Sequence, residues 1–178
     1  MMRLNAQAVS IDAAAGETGR REISGIAVPY GIPAVVADGT SVIFQAGSLP
    51  VDGKKPRLYM NHDSTNAIGI VTDRVDTPEG MLFTAKMSKT QAGDEALILA
   101  MDGVLDSVSV GVNPTKFTTA KDGTITVTAA DWLELSMVPV PAFAGAVITD
   151  IAASIHQEPE NDDIDLSTDE PSEQEVTE

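Results

Sequence analysis

Three short segments of this chain carry side chains that could move a proton or attack a carbonyl. The first, Leu58-Tyr59-Met60-Asn61-His62-Asp63, runs from apolar residues into a polar end. A histidine there can take a proton from a hydroxyl and return it to a leaving amine. The second, Asp106-Ser107-Val108-Ser109-Val110-Gly111-Val112, alternates small polar residues with valines. Read as a strand, it places Ser107, Ser109 and Gly111 on one face and the valines on the other. The third runs from Asp131 to Ala142 and holds Trp132, Glu134 and Ser136 alternating with Leu133, Leu135 and Met137. A strand there puts Glu134 on a face with Trp132 and Ser136, where a carboxylate could hold an imidazole in one tautomer. Each segment alone also fits an ordinary strand end or a solvent-facing strand.

The elements that must position these residues are mostly short strands. Met81, Phe83, Ala85 and Met87 alternate with Leu82, Thr84 and Lys86, and the threonine-rich stretch 124–128 alternates in the same way. Further strands are expected at Ala6–Ile11, Glu22–Pro29, Ser41–Gln45, Arg57–His62 and Ile68–Val75. Turn signals such as Asp38-Gly39, Asp52-Gly53 and Lys121-Asp122-Gly123 separate them. One helix is expected over residues 90–103, opened by a capping box of Ser88 and Gln91 and ended near Gly103. Leu97, Ala100, Met101 and Val104 supply its apolar spacing. The fold class is β-rich α+β: a mainly antiparallel β-barrel or sandwich flanked by at least one helix.

Charge divides the 178 residues into two parts. The formal net charge is 11 − 27 = −16, and residues 157–178 hold ten of the acids and no base. Residues 1–156 then carry 17 acids against 11 bases, a net charge of −6. We therefore expect a folded β-barrel domain over 1–156 and a disordered acidic tail or linker over 157–178, where Ile164, Leu166 and Val176 are too few to offset the entropy of ordering.

The same arithmetic narrows the function. A body with no basic excess is poorly matched to a phosphate backbone, so nucleic-acid binding is not expected. The longest mostly apolar stretch, Val138–Ile148, contains Pro139, Pro141 and Gly145, is far shorter than a bilayer span, and leaves no membrane role. There is no cysteine, and His62 and His156 lie 94 residues apart, so no cofactor and no metal centre are expected. A nucleophile must come from a serine, a threonine or an acid, and His62 is the base available within the body.

Taken in order, Asn61-His62-Asp63 with Ile68-Gly69, then Ser107-Val108-Ser109-Val110-Gly111, then Leu133-Glu134-Leu135-Ser136-Met137-Val138 with Pro141-Ala142, resembles the prohead proteases of tailed bacteriophages. The resemblance covers roughly residues 20–150 by motif order and spacing. Val112 stands where that family usually has an aromatic residue, and Phe143 where asparagine commonly follows Pro-Ala. The resemblance implies a β-barrel similar to herpesvirus assemblin and a serine endopeptidase with His62 as general base and Ser109 as nucleophile. It implies Glu134 as the third member of a triad, and Ser107 is the residue to test against Ser109. It further implies major capsid protein and scaffold protein or a scaffold-like segment as partners, action inside the assembling procapsid in the bacterial host cytoplasm, and a homodimer by analogy. The alternative within the same resemblance is a catalytically dispensable scaffolding module. A third reading is a β-rich binding protein unrelated to the family.

Overall fold

The computed structural model describes residues 20–36 and 38–153. The expected strand at Ala6–Ile11, His156 and the acidic segment 157–178 lie outside the described residues. In chain order the elements are β1 (Arg21–Pro29), β2 (Ala34–Val35), β3 (Ser41–Phe44), β4 (Arg57–Met60), β5 (Asp63–Asp76), β6 (Gly80–Met87), α1 (Gln91–Met101), β7 (Ser107–Thr119), β8 (Ile125–Val138) and β9 (Ile148–Ala153). The strands form one sheet in the order β2-β3-β8-β4-β5-β6-β1-β9, with β7 paired to β8 outside that path.

The expected barrel is corrected by this order, because the sheet does not close into one. β9 ends the path beside β1, and the gap from there to β7 is crossed by residues 146–148 rather than by a ladder. A single bridge joins Ser107 to Val147, flanked by Val108 N donating to the Ala146 carbonyl and Ile148 N donating to the Asp106 carbonyl. Pro139 and Pro141 lie in the connection from β8, where proline cannot contribute a ladder donor. On the β1 side, Val147 crosses so close to Gly25 that a Cβ there would lie 2.0 Å from its carbonyl oxygen. Glycine at 25 is what lets that carbonyl accept from Ile26 N at 3.0 Å.

Pairing is antiparallel except at β8, which runs parallel to β3 through Val42–Phe44 and parallel to β4 through Arg57–Met60. The two stretches read from sequence as separate strands, 124–128 and 132–137, are one strand of 14 residues. A bulge inside it explains how both parts fit. Gly111 pairs with Glu134 and Val112 with Trp132, so Leu133 is an extra residue on β8. The bulge inverts the side-chain phase. Trp132 belongs to the buried core with Leu135 and Met137, whereas Leu133 is 59% exposed. Trp132 therefore does not share a face with Glu134, as strict alternation had it, and its Nε1 donates instead to the Glu134 carbonyl across the bulge at 2.7 Å.

The helix forms where expected, with a different cap. Thr90, in extended conformation, accepts from Gly93 N at 3.2 Å, and Gln91 donates to Glu95 rather than closing a box with Ser88. Ala96, Leu97 and Ala100 are buried, while Met101 and Val104 face outward. Arg21 reaches the first turn, pairing with Asp94 and donating to the Ser88 carbonyl. Burial of a side chain such as Leu97 contributes about 1.5–3 kcal/mol. The core also takes in Phe143, whose ring meets Phe44 edge-on at 5.7 Å, so the departure from asparagine at this position is a packing choice.

One polar anchor ties the loop after β3 to β5. The Tyr30 hydroxyl donates to Asp76 Oδ1 at 2.6 Å, and Gly47 N donates to the same oxygen. Burial, then the neighbouring Asp76 carboxylate, pushes the Tyr30 phenol well above its ordinary value of 10.0. The folded state thus keeps a proton that the unfolded chain releases from about pH 10 upward, and stability must fall with rising pH in that range. Denaturant titrations between pH 9 and 11 should show this fall, and Tyr30→Phe should flatten it. An equally steep fall in Tyr30→Phe would remove this anchor as its cause.

Candidate active site

The parallel pairing of β4 with β8 brings the site together. It sets Tyr59 beside Ser136 and Met60 beside Met137, so the turn leaving β4 falls next to the end of β8. That turn is a two-residue hairpin connection, since Met60 pairs with Asp63 across Asn61 and His62. Asn61 has φ 52° and His62 φ 59°, the left-handed pair that such a tight turn requires. Asparagine and histidine are among the non-glycine residues found in this conformation, and each carries some local strain there. Two hydrogen bonds hold the turn against β8: Asn61 N to the Met137 carbonyl at 3.0 Å and His62 N to Ser136 Oγ at 3.1 Å.

Held in this way, His62 meets Glu134. Its Nδ1 lies 2.8 Å from Glu134 Oε1, and the other carboxylate oxygen accepts from Ser136 Oγ at 2.7 Å. The pair is unevenly exposed, the His62 side chain 47% and the Glu134 side chain 16%. With the carboxylate ionised, Nδ1 carries the proton and Nε2 keeps its lone pair.

Ser109 stands one strand further along. β7 is antiparallel to β8, and Ser109 is the register partner of Ser136, the residue that touches both His62 and Glu134. Directly opposed residues have Cα atoms about 4.5–5.5 Å apart, so Ser109 is one strand spacing from Ser136, with the His62 turn on the other side of β8. The structure brings His62 and Glu134 into contact and sets Ser109 across the ladder from Ser136; among the described residues no hydrogen bond joins Ser109 to His62.

Ser107 is differently placed. It is 7% exposed, its hydroxyl donates to Asp106 Oδ1 at 2.7 Å, and it carries the bridge to Val147. Asp63, the acid next to His62 in sequence, turns away: its Oδ1 accepts from Thr65 N at 2.8 Å and Thr65 Oγ1 at 2.6 Å. Those bonds, the hydroxyl's first, hold its carboxyl below the usual range.

Ser136 is the residue that reading the sequence undervalued. Alternation places it on the face of Glu134, and its fully buried hydroxyl bonds both the His62 main chain and the Glu134 carboxylate. The signal was the Glu-x-Ser spacing, which puts two polar side chains side by side on a strand. Ser136→Ala strands the His62 N–H and one Glu134 oxygen, and should cost about 1–3 kcal/mol of folding stability. Denaturant unfolding reads this directly, and a variant as stable as the parent would remove Ser136 as a brace.

No group of three metal-ligating side chains comes together among the described residues, and none of their helices is long and apolar enough to cross a membrane. Comparison with curated proteins gives no match. A family model, that of the caudovirus prohead serine proteases, matches residues 8–161.

Proposed function

The chain belongs to the caudovirus prohead serine protease family, and from that premise we propose that Ser109, His62 and Glu134 act as its nucleophile, general base and orienting acid. The family places the protein in phage capsid maturation, inside the assembling procapsid. The observation that carries the assignment is the 2.8 Å contact between His62 Nδ1 and Glu134 Oε1, with Ser109 on the strand that pairs with the strand of Glu134.

The chemistry follows from that layout. His62 Nε2 takes the proton of the Ser109 hydroxyl as Oγ attacks the scissile carbonyl, and Glu134 stabilises the imidazolium that forms. The imidazolium then returns the proton to the leaving amine, freeing the C-terminal fragment and leaving an acyl-enzyme on Ser109. Water, deprotonated by the same nitrogen, hydrolyses the ester and restores the serine. The turn geometry supports this route, because fixing His62 N–H on Ser136 and Nδ1 on Glu134 leaves only Nε2 for proton transfer. The substrates are scaffold protein or a scaffold-like segment of the major capsid protein, and the chain's own terminus.

Co-expression with the cognate capsid and scaffold proteins, followed by intact-mass analysis, tests the reading. Defined fragments should appear with the wild type and vanish with His62→Ala. Intact partners in every sample would instead favour a scaffolding module that keeps the fold without turnover.

A further inference from the structure

We propose that Gly111 is a positioning residue, whose missing side chain defines the path by which the Glu134 carboxylate reaches His62. The inference rests on the acyl-transfer assignment above and adds to it a residue that touches neither substrate nor the reacting atoms.

The β7–β8 register sets Gly111 directly opposite Glu134. A Cβ built on Gly111 would lie 2.3 Å from Glu134 Oε1, 2.7 Å from its Cγ and 2.8 Å from its Cδ. These are the three nearest atoms, and all belong to one side chain. The glutamate thus lies folded over the Gly111 Cα, and its Oε1 is the oxygen that meets His62 Nδ1. Positive φ does not explain the glycine: Gly111 is absent from the residues with positive φ, and the bulge beside it places its extra residue, Leu133, on β8 rather than on β7. Space does.

Nor can the clash be relieved by a small adjustment. It involves Cγ and Cδ as well as the terminal oxygen, so the whole side chain must move. Both carboxylate oxygens are committed, one to His62 and one to Ser136, so moving it breaks both contacts. In an ordinary strand position, alanine would be more favourable than glycine, since glycine lacks packing and loses more entropy on folding. The site therefore accepts a weak strand residue to leave room for the acid.

The test is a cycle of Gly111→Ala, Glu134→Ala and the double variant, measured on the full chain. The two histidines of the sequence make imidazole nitrogen and proton NMR tractable, with His156 as the internal reference. Gly111→Ala should lose the hydrogen-bonded Nδ1 proton signal of His62. It should also lower kcat for scaffold or capsid cleavage by about 100-fold, with KM within about twofold, as expected for a misplaced catalytic group. In the Glu134→Ala background the same substitution should cause no further loss of rate and should raise the melting temperature, because the obstacle is gone. If Gly111→Ala alone does not fold, the double variant must. Retention of the Nδ1 signal and rate in Gly111→Ala overturns the proposal. So does a double variant that is slower or less stable than Glu134→Ala alone. A wild type that cleaves nothing would sink the protease assignment, while the NMR and melting comparisons would still decide the role of Gly111.

Discussion

Ser109→Ala should abolish processing of the capsid and scaffold partners, whereas Ser107→Ala should leave it intact. Removing the nucleophile of a serine hydrolase lowers kcat by about 10⁶-fold, which for a protease acting during assembly is no cleavage on a practical timescale. Alanine at 109 should also be structurally mild: the side chain is half-buried, no hydrogen bond of its hydroxyl is formed among the described residues, and the β7–β8 ladder uses main-chain groups. Loss of processing with an unchanged unfolding curve is therefore the expected pair of results. Ser107→Ala removes a hydroxyl already bonded to Asp106 and 7% exposed, so its consequence should fall on stability. Fragments that persist in Ser109→Ala and disappear in Ser107→Ala would move the nucleophile two residues along the strand and unseat the assignment.

The second large effect is expected from Glu134→Gln. The amide has nearly the shape of the carboxylate, so it should keep its place over Gly111 and beside Ser136. What changes is the partner that His62 Nδ1 meets. An amide NH₂ turned toward it favours the tautomer with the proton on Nε2, which cannot accept a proton from serine. The developing imidazolium also loses a neighbouring negative charge. A comparable exchange in a closed site costs about 10⁴-fold; with the His62 side chain 47% exposed, water offsets part of that, and a loss of about 10³-fold is expected. Steady-state cleavage should show this in kcat with little change in KM. A Glu134→Gln enzyme within tenfold of wild type would mean that the 2.8 Å contact holds the turn but does not take part in proton transfer.

How far these features were legible in the sequence differs from element to element. The alternation in Met81–Met87 placed β6 nearly to the residue, because one face is buried throughout. β2, two residues long, carries no period to read, and β9 follows a proline-interrupted segment whose apolar residues suit a core loop as well as a strand. The bulge at Leu133 was invisible for a different reason. It is defined by what lies across the ladder, and strict alternation put Leu133 on the face of Leu135 and Met137 and Trp132 on the face of Glu134. Closure into a barrel was similarly out of reach, since it depends on whether residues 146–148 pair over a ladder or meet at one bridge. For the site, residue types alone could not choose between Asp63 and Glu134 as the acid near His62. That choice hinged on the left-handed turn at Asn61-His62, which sends Asp63 to Thr65 and the imidazole to β8.

The position of β8 has a consequence for timing. It lies between β4 and β7, holding the first by parallel pairing and the second by antiparallel pairing. On a ribosome, residues 57–60 and 107–119 emerge well before residues 134–138, so both flanking strands exist while the strand that belongs between them does not. His62 has no carboxylate to meet, and its left-handed turn has neither the Ser136 hydroxyl nor the Met137 carbonyl to hold it. The His62–Glu134 contact closes a span of 72 residues and forms only when β8 inserts, a non-local event of the kind that makes folding slow. A nascent or partly folded chain is thus without the His62–Glu134 contact, and the contact appears together with the finished sheet.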